Sequence, residues 1–272
     1  NGSIMMLENI RFNQGEETNN SEFSKKLSNL GDIYVNDAFS CSHRAHASVE
    51  GITKYIPSYF GLQITKEIEA LKRITSEITK PVSLVIGGSK ISTKISIINN
   101  LAKKFDNIII VGGMANTMLK HTGYKIGKSI CENDCGSLIK EILEISKKFN
   151  CRIVCPVDVV VSKSIEGAGK IKDIKEINDD DIILDIGPKT ISVIKKIINN
   201  SNTVLWNGPA GYFENPNFQA GTKEILEIIA QKTINDKIFS VAGGGETVAA
   251  INKFKKLDSF TFVSTAGGAF LE

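Results

Sequence analysis

The sequence predicts an α/β protein: a parallel, Rossmann-like sheet with helices on both faces, preceded by part of a second α/β domain. Three observations lead there. Apolar, β-branched runs alternate with helix-period stretches along residues 81–272, and strands that are apolar at nearly every position are those buried on both faces of a parallel sheet. Most of these runs end in glycine, at Gly87-Gly88, Gly112-Gly113, Gly187, Gly208, Gly243–Gly245 and Gly267-Gly268. Residues 1–62, by contrast, hold too few elements to enclose a core of their own.

In chain order, "IMMLENIRF" reads as a strand, "EFSKKLSNLG" as a helix and "DIYVNDAF" as a strand, and 60–78 reads as a connecting helix. "VSLVIGG" (82–88) is a buried strand, and 90–105 places Ile91, Ile95, Ile98 and Ala102 on one helical face. "NIIIVGG" (107–113) is the next strand, followed by a short helix from Met114 and another over 137–149. Strands are expected at 152–161, 181–187, 203–209, 238–244 and 260–266, with helices over 189–199, 220–231 and 246–255. Ligands of open parallel sheets sit beyond the carboxyl ends of the strands. Glycine there admits close backbone approach, and the following helix N-terminus attracts anions. Repeated at one sheet edge, such turns point to a phosphate-bearing ligand.

Composition narrows the class. The chain has 272 residues, 42% hydrophobic and 23% charged, as expected of a globular protein with a sizeable core. A net charge of +3 argues for neither nucleic acid nor membrane. No apolar signal region follows the N-terminus, and no apolar run is long enough to span a bilayer. The cytoplasm is therefore expected. The five cysteines include two C-x3-C pairs, Cys131/Cys135 and Cys151/Cys155. "CRIVCPVDVVV" reads as a strand, and residues four apart there lie about 13 Å apart, too far for one zinc ion to bridge. Buried core thiols are the expectation.

Several motifs admit a structural as well as a functional role. "GYKIGKS" is one residue short of a Walker loop and follows a helical stretch instead of a strand. Lys90 and Lys94 in "GGSKISTK" are four apart, neighbours on a helix start. Lysines there oppose the helix dipole unless an anion sits between them. "DAFSCSHRAHAS" gathers His43, Arg44 and His46, and Arg11 follows "MMLENI". Two arginines ending strands suit a phosphate or carboxylate. Glu246 in "AGGGETVAA" is either a dipole partner for its helix or a hard oxygen ligand for Mg²⁺.

Taken together, "LENIRFNQGEE", "VNDAFSCSHRAHAS", "GGSKISTKI", "GGMANTMLK", "PVDVVV", "DIGPKT", "WNGPAGYFE", "AGGGETVAA" and "STAGGAFLE" resemble the phosphoglycerate kinase family, in that family's order. The resemblance implies a glycolytic phosphotransferase moving a phosphoryl group reversibly between ATP and the carboxylate of 3-phosphoglycerate, giving ADP and 1,3-bisphosphoglycerate. It implies Mg²⁺ as cofactor, 3-phosphoglycerate and ATP/ADP as partners, no nucleic acid, no membrane, and a monomer. By motif, Arg11 and Arg44 would hold the 3-phosphoglycerate phosphate, and Lys94 would neutralise the transferring group. Glu214 would meet the ribose. Gly244, Gly245, Glu246 and Thr247 would face the nucleotide phosphates, with Glu246 toward the metal. Residues 1–62 would be a remnant of the substrate domain, 63–80 the interdomain helix and 81–272 the nucleotide-binding domain.

Three departures accompany the resemblance. The family's "R-x-D-x-N-V-P" and "SHLGRP" motifs do not occur in these residues, nor does its final helix. Glu246 stands where the family usually has aspartate, and Ala266 replaces the first glycine of "STGGG". The 272 residues by themselves are thus expected not to turn over 3-phosphoglycerate, since misplacing a reacting group by about 1 Å can cost a hundredfold. The alternative from a different class is a non-catalytic nucleotide-binding remnant.

Overall fold

The computed structural model describes residues 2–270. The chain divides into two compact units, one running up to Glu69 and including Ala266–Phe270, the other Ala70–Thr265.

The first unit contains α1 (Gln14–Glu17), α2 (Ser21–Ser28), β1 (Tyr34–Asn36), β2 (Ser58–Phe60) and the beginning of α3 (Leu62–Thr75). The Asn20 side chain accepts from Phe23 N–H and starts α2, satisfying one of the donors a helix leaves free. β1 and β2 pair in parallel, Tyr34 opposite Ser58. The buried Glu16 carboxylate accepts from the Ser48 N–H (3.0 Å) and hydroxyl (2.6 Å), fixing the turn behind His46. The strand expected over "IMMLENIRF" does not form. Ile10–Phe12 is a 3-10 turn, and Ile4 and Met6 are more than nine-tenths exposed. Among the described residues no strand lies alongside to take up their backbone groups, so β propensity alone does not make a strand.

The second unit is built on a six-stranded parallel sheet in the order β11-β10-β9-β3-β4-β5. Its strands are β3 (Val82–Ile86), β4 (Asn107–Ile110), β5 (Arg152–Val154), β9 (Thr203–Asn207), β10 (Phe239–Ala242) and β11 (Phe262–Val263). The helices are α4 (Ile95–Ala102), α5 (Gly112–His121), α6 (Gly136–Phe149), α7 (Pro188–Asn199), α8 (Ala220–Asp236) and α9 (Gly245–Lys253). Every residue of β3 and β9 is buried, which is why their sequences carry no polar alternation. Val85, Ile109 and Trp206 pack into one cluster with Ile194 of α7 and Ile225 and Ile229 of α8. Leu84 and Ile86, pointing the other way, are equally buried. Trp206 is fully buried, stacks on Phe260 at 6.1 Å and donates its indole N–H to the Gly208 carbonyl (2.8 Å). The lone tryptophan thus fixes the strand end from which the following loop springs.

Two expectations change. The run 152–161 is not one strand: it breaks at Cys155–Val157 around Pro156, which has no N–H to donate. Its second half, β6 (Asp158–Ser162), enters a separate antiparallel sheet, β7 (Lys170–Asp173)-β6-β8 (Ile182–Ile186). Strand β8 and Gly187 therefore do not belong to the parallel sheet's glycine edge. Gly187 is glycine for another reason: a Cβ there would lie 2.3 Å from the Asp158 carboxyl carbon. That carboxylate caps α7, accepting from Lys189 N–H (2.9 Å) and Thr190 N–H (2.7 Å). The thiols also differ from expectation, since only Cys135 and Cys151 are buried. Among the described residues no trio of His, Cys, Asp or Glu could hold a metal, and no helix is long and apolar enough to cross a membrane.

The Asp158 cap joins β6 to α7, and its removal leaves buried N–H groups unpaired. Asp158→Ala should lower unfolding stability by about 2–4 kcal/mol, with an unchanged denaturant slope in urea melts. A loss within error of zero would show that the cap is not needed.

Candidate functional site

At the carboxyl edge of the parallel sheet, the ends of β3 and β9 come together backbone against backbone. Gly87 N–H donates to the Asn207 carbonyl (2.9 Å). A Cβ on Gly87 would lie 2.3 Å from the Pro209 carbonyl oxygen, and one on Gly208 would lie 2.4 Å from that of Gly87. Gly208 also has φ +107°, in the region that favours glycine. Either side chain would force the two strand ends apart.

Around this junction lies a cavity of about 600 Å³, lined by Gly88, Gly112, Gly113, Asn116, Lys128, Ile183, Asp185, Gly211, Tyr212, Glu214 and Glu246 among others. Two helices begin beside it, α5 at Gly112 and α9 at Gly245, and neither start is capped by a side chain. Uncapped N-termini leave N–H donors and partial positive charge available to an anion. Gly244 has φ +95°, and a Cβ on Gly245 would meet nothing within 4 Å, so that turn is open to a ligand.

Lys94 enters the site from a 3-10 turn (Ser92–Lys94) ahead of α4, not from the helical face expected for it and Lys90. The Glu132 carboxylate holds this turn through the Ser92 N–H (3.0 Å) and hydroxyl. The Lys94 ammonium donates to the Gly87 carbonyl (2.7 Å) and to the Asn207 side-chain oxygen. Burial pulls its pKa from the ordinary 10.5 down to about 8, against the opposing pull of the Glu246 carboxylate. Lys90 stays exposed. Glu214 and Glu246 thus line the cavity, Lys94 lies behind its Gly88 wall, 3.6 Å from a Cβ built there, and the Gly244–Gly245 turn leads into Glu246. Glu214 is held from behind, its carbonyl and that of Phe213 accepting from Lys253 (3.2 and 2.6 Å).

Thr247 is placed differently from expectation. It is fully buried, and its hydroxyl accepts from Gly208 N–H (2.6 Å), so it ties two loops together and does not face the cavity. Arg11 and Arg44 lie in the first unit. Arg44 lines an apolar cavity of about 780 Å³ there and donates to the His43 ring (3.2 Å), whereas Arg11 is not part of that lining and sits 3.8 Å from Glu17.

Two site residues escaped the sequence reading. Asn207 bridges Lys94 and the Gly243 carbonyl (2.8 Å). Its signal was available: a polar residue closing the otherwise apolar strand "TVLWN". Asp185, 2% exposed in the cavity wall, gave no such signal, because its burial depends on two glycines far along the chain.

A buried ammonium with no carboxylate in salt-bridge contact should respond to an anion. In ¹⁵N-detected titrations the Lys94 side chain should show a midpoint near 8 in the free protein, rising when a polyphosphate is added. A midpoint at the ordinary lysine value would contradict this description of the site.

The comparisons with known proteins agree with one another. A family model described as phosphoglycerate kinase matches residues 1–272. The phosphoglycerate kinase of Xanthobacter autotrophicus is 46% identical over 273 residues, covering 100% of this chain and 69% of that protein. That of Caulobacter vibrioides is likewise 46% identical, with the same coverage. Among solved structures, phosphoglycerate kinase from Coxiella burnetii superposes with a TM-score of 0.90 at 41% identity, over 97% of this chain and 67% of that one. The enzyme from Pyrococcus horikoshii gives 0.82 at 31%, again over 97% of this chain and 67% of the other. The chain belongs to the phosphoglycerate kinase family.

Proposed function

We propose that the cavity at the carboxyl edge of the parallel sheet is the ATP/ADP site of a glycolytic phosphotransferase that moves a phosphoryl group between ATP and the carboxylate of 3-phosphoglycerate. The observation that carries this reading is a cavity walled by Gly88, the uncapped start of α5 at Gly112–Gly113 and Glu246 in the uncapped first turn of α9, with Lys94 held beside it on the Gly87 carbonyl. Family membership along the whole chain favours it over a non-catalytic remnant.

A carboxylate acceptor is already ionised at neutral pH, so no general base is required. What remains is alignment and charge neutralisation. Lys94 supplies a positive charge that partial burial leaves incompletely hydrated, and an incoming phosphate offers the partner that water supplies only in part. The N–H groups of the Gly244–Gly245 turn face the phosphates. Glu214 meets the ribose, and Thr247 supports the turn from behind through Gly208. Glu246 suits Mg²⁺: it offers a hard carboxylate oxygen at the cavity edge, and Mg²⁺ takes one or two carboxylates with phosphate and water completing its shell. Bound there, the ion would neutralise phosphate charge. Arg11 and Arg44 would hold the phosphate of 3-phosphoglycerate by bidentate hydrogen bonds. The free thiols suit a reducing compartment such as the cytoplasm, and a monomer is the state the resemblance implies.

Calorimetric titration of this chain with Mg-ADP tests the reading. Binding should saturate at one site, Lys94→Ala with Glu214→Ala should weaken it by about 2–4 kcal/mol, and Glu246→Asp should be tolerated. Undiminished binding by the double variant would remove both residues from the site.

A further inference from the structure

Asp185 is the one buried acid of the cavity wall for which the phosphotransfer reading has no use. It is the penultimate residue of the antiparallel strand β8, and its carboxylate binds within that strand and to the start of α8 and abuts Gly211 of the loop. One carboxylate oxygen accepts from Gly221 N–H at the start of α8 (2.7 Å), the other from Ile186 N–H (2.9 Å). A Cβ at Gly211 or Gly221 would lie 2.5 or 2.3 Å from its oxygen, so two glycines make the space it fills. Beside it the Leu184 carbonyl accepts from Tyr212 N–H (2.7 Å), tying the loop that carries Glu214 to the same strand end.

We propose that Asp185 is a positioning residue for the nucleotide site, holding β8, the 208–214 loop and the start of α8 in register, and that it takes up a proton when a nucleoside diphosphate fills the cavity. The inference rests on the cavity's being the nucleotide site.

No cation offsets this carboxyl. The titratable groups on the elements packed against it are Asp158 on β6, Asp181 ahead of β8, Lys120 and His121 at the far end of α5, Tyr212 and Glu214 on the loop, and Lys223 and Glu224 in the first turn of α8, with Lys128 and Glu246 in the same cavity lining; none of them contributes to the shift at Asp185. Asp158 is turned to Lys189 and Thr190, and Asp181 to Lys163 and Lys172. The shift at Asp185 comes from burial, opposed only by the Gly221 and Ile186 N–H groups, and raises its pKa from the ordinary 3.8 to about 7. A nucleotide covering the cavity removes further water and brings negative charge, and both favour the neutral acid. The sign follows: below pH 7 the acid is already protonated and binding meets no resistance, and above it each binding event must draw a proton from solution. Affinity therefore falls as pH rises through 7.

Mg-ADP titrations of this chain from pH 6 to 8, each run in two buffers of different ionisation enthalpy, test the proposal. Wild type should lose about fivefold to tenfold in affinity across that range and take up as much as one proton. Asp185→Asn, whose amide oxygen can still accept from Gly221, should keep only the shallower loss due to Lys94, about twofold by pH 8. Lys94 titrates higher, near 8, so its contribution persists in the variant and is subtracted with it. Carboxyl ¹³C spectra of the wild type give a readout independent of the variant's folding. The Asp185 resonance should titrate near 7 and move up when Mg-ADP is added. Mg-ADP binding with the same pH slope in Asp185→Asn, or an Asp185 resonance titrating with ordinary carboxylates, would overturn the proposal alone. No Mg-ADP binding by the wild type at any pH would overturn the nucleotide reading and this inference with it.

Discussion

The site depends on how closely two strand ends can approach. β3 and β9 are neighbours in the middle of a parallel sheet, buried on both faces, and their carboxyl ends must turn outward without separating. Gly87 and Gly208 permit this, since either side chain would strike the other strand's backbone at about 2.4 Å or less. Because the ends stay together, the Gly87 carbonyl and the Asn207 side chain present two acceptors side by side, and Lys94 reaches both. The indole of Trp206, packed beneath on Phe260, holds the strand below the turn. A core packing decision thereby becomes a placed positive charge.

That charge is held in an electrically unfinished state. Lys94 is surrounded by neutral acceptors and feels the Glu246 carboxylate only at a distance, so its ammonium bears a desolvation cost that neutral groups cannot offset fully. In the cavity wall Asp185 bears the opposite imbalance, a carboxyl buried with two N–H partners and no cation. Both imbalances change when an anion arrives, one relieved and the other increased. A site arranged in this way couples ligand charge to proton content without any moving part.

Much of this was legible in the sequence. The strands of the parallel sheet could be read because complete burial leaves uninterrupted apolar runs, and the turns after β3, β4, β9 and β10 because only glycine fits there. What could not be read was which sheet a strand joins. "DIILDIG" looks like the other buried strands, yet β8 runs antiparallel beside β6, and pairing partners are a long-range property that local pattern does not encode. Gly187 misled for the same reason: it makes room for the Asp158 carboxylate, not for a ligand. Thr247 sits inside a glycine-rich motif, but it is fully buried and its hydroxyl accepts from Gly208 N–H, and Lys90 shares a motif with Lys94 while staying in solvent. Spacing brings residues near a site; backbone geometry decides which of them enter it.

On the proposed function, the carboxyl edge of the six-stranded sheet receives the nucleotide. Amide hydrogen exchange with and without Mg-ADP tests it most directly, because the edge is defined by backbone groups. Protection should concentrate at 87–94, 112–116, 207–214 and 243–247. Protection centred instead on the Arg44-lined cavity, or spread evenly over both units, would contradict the account.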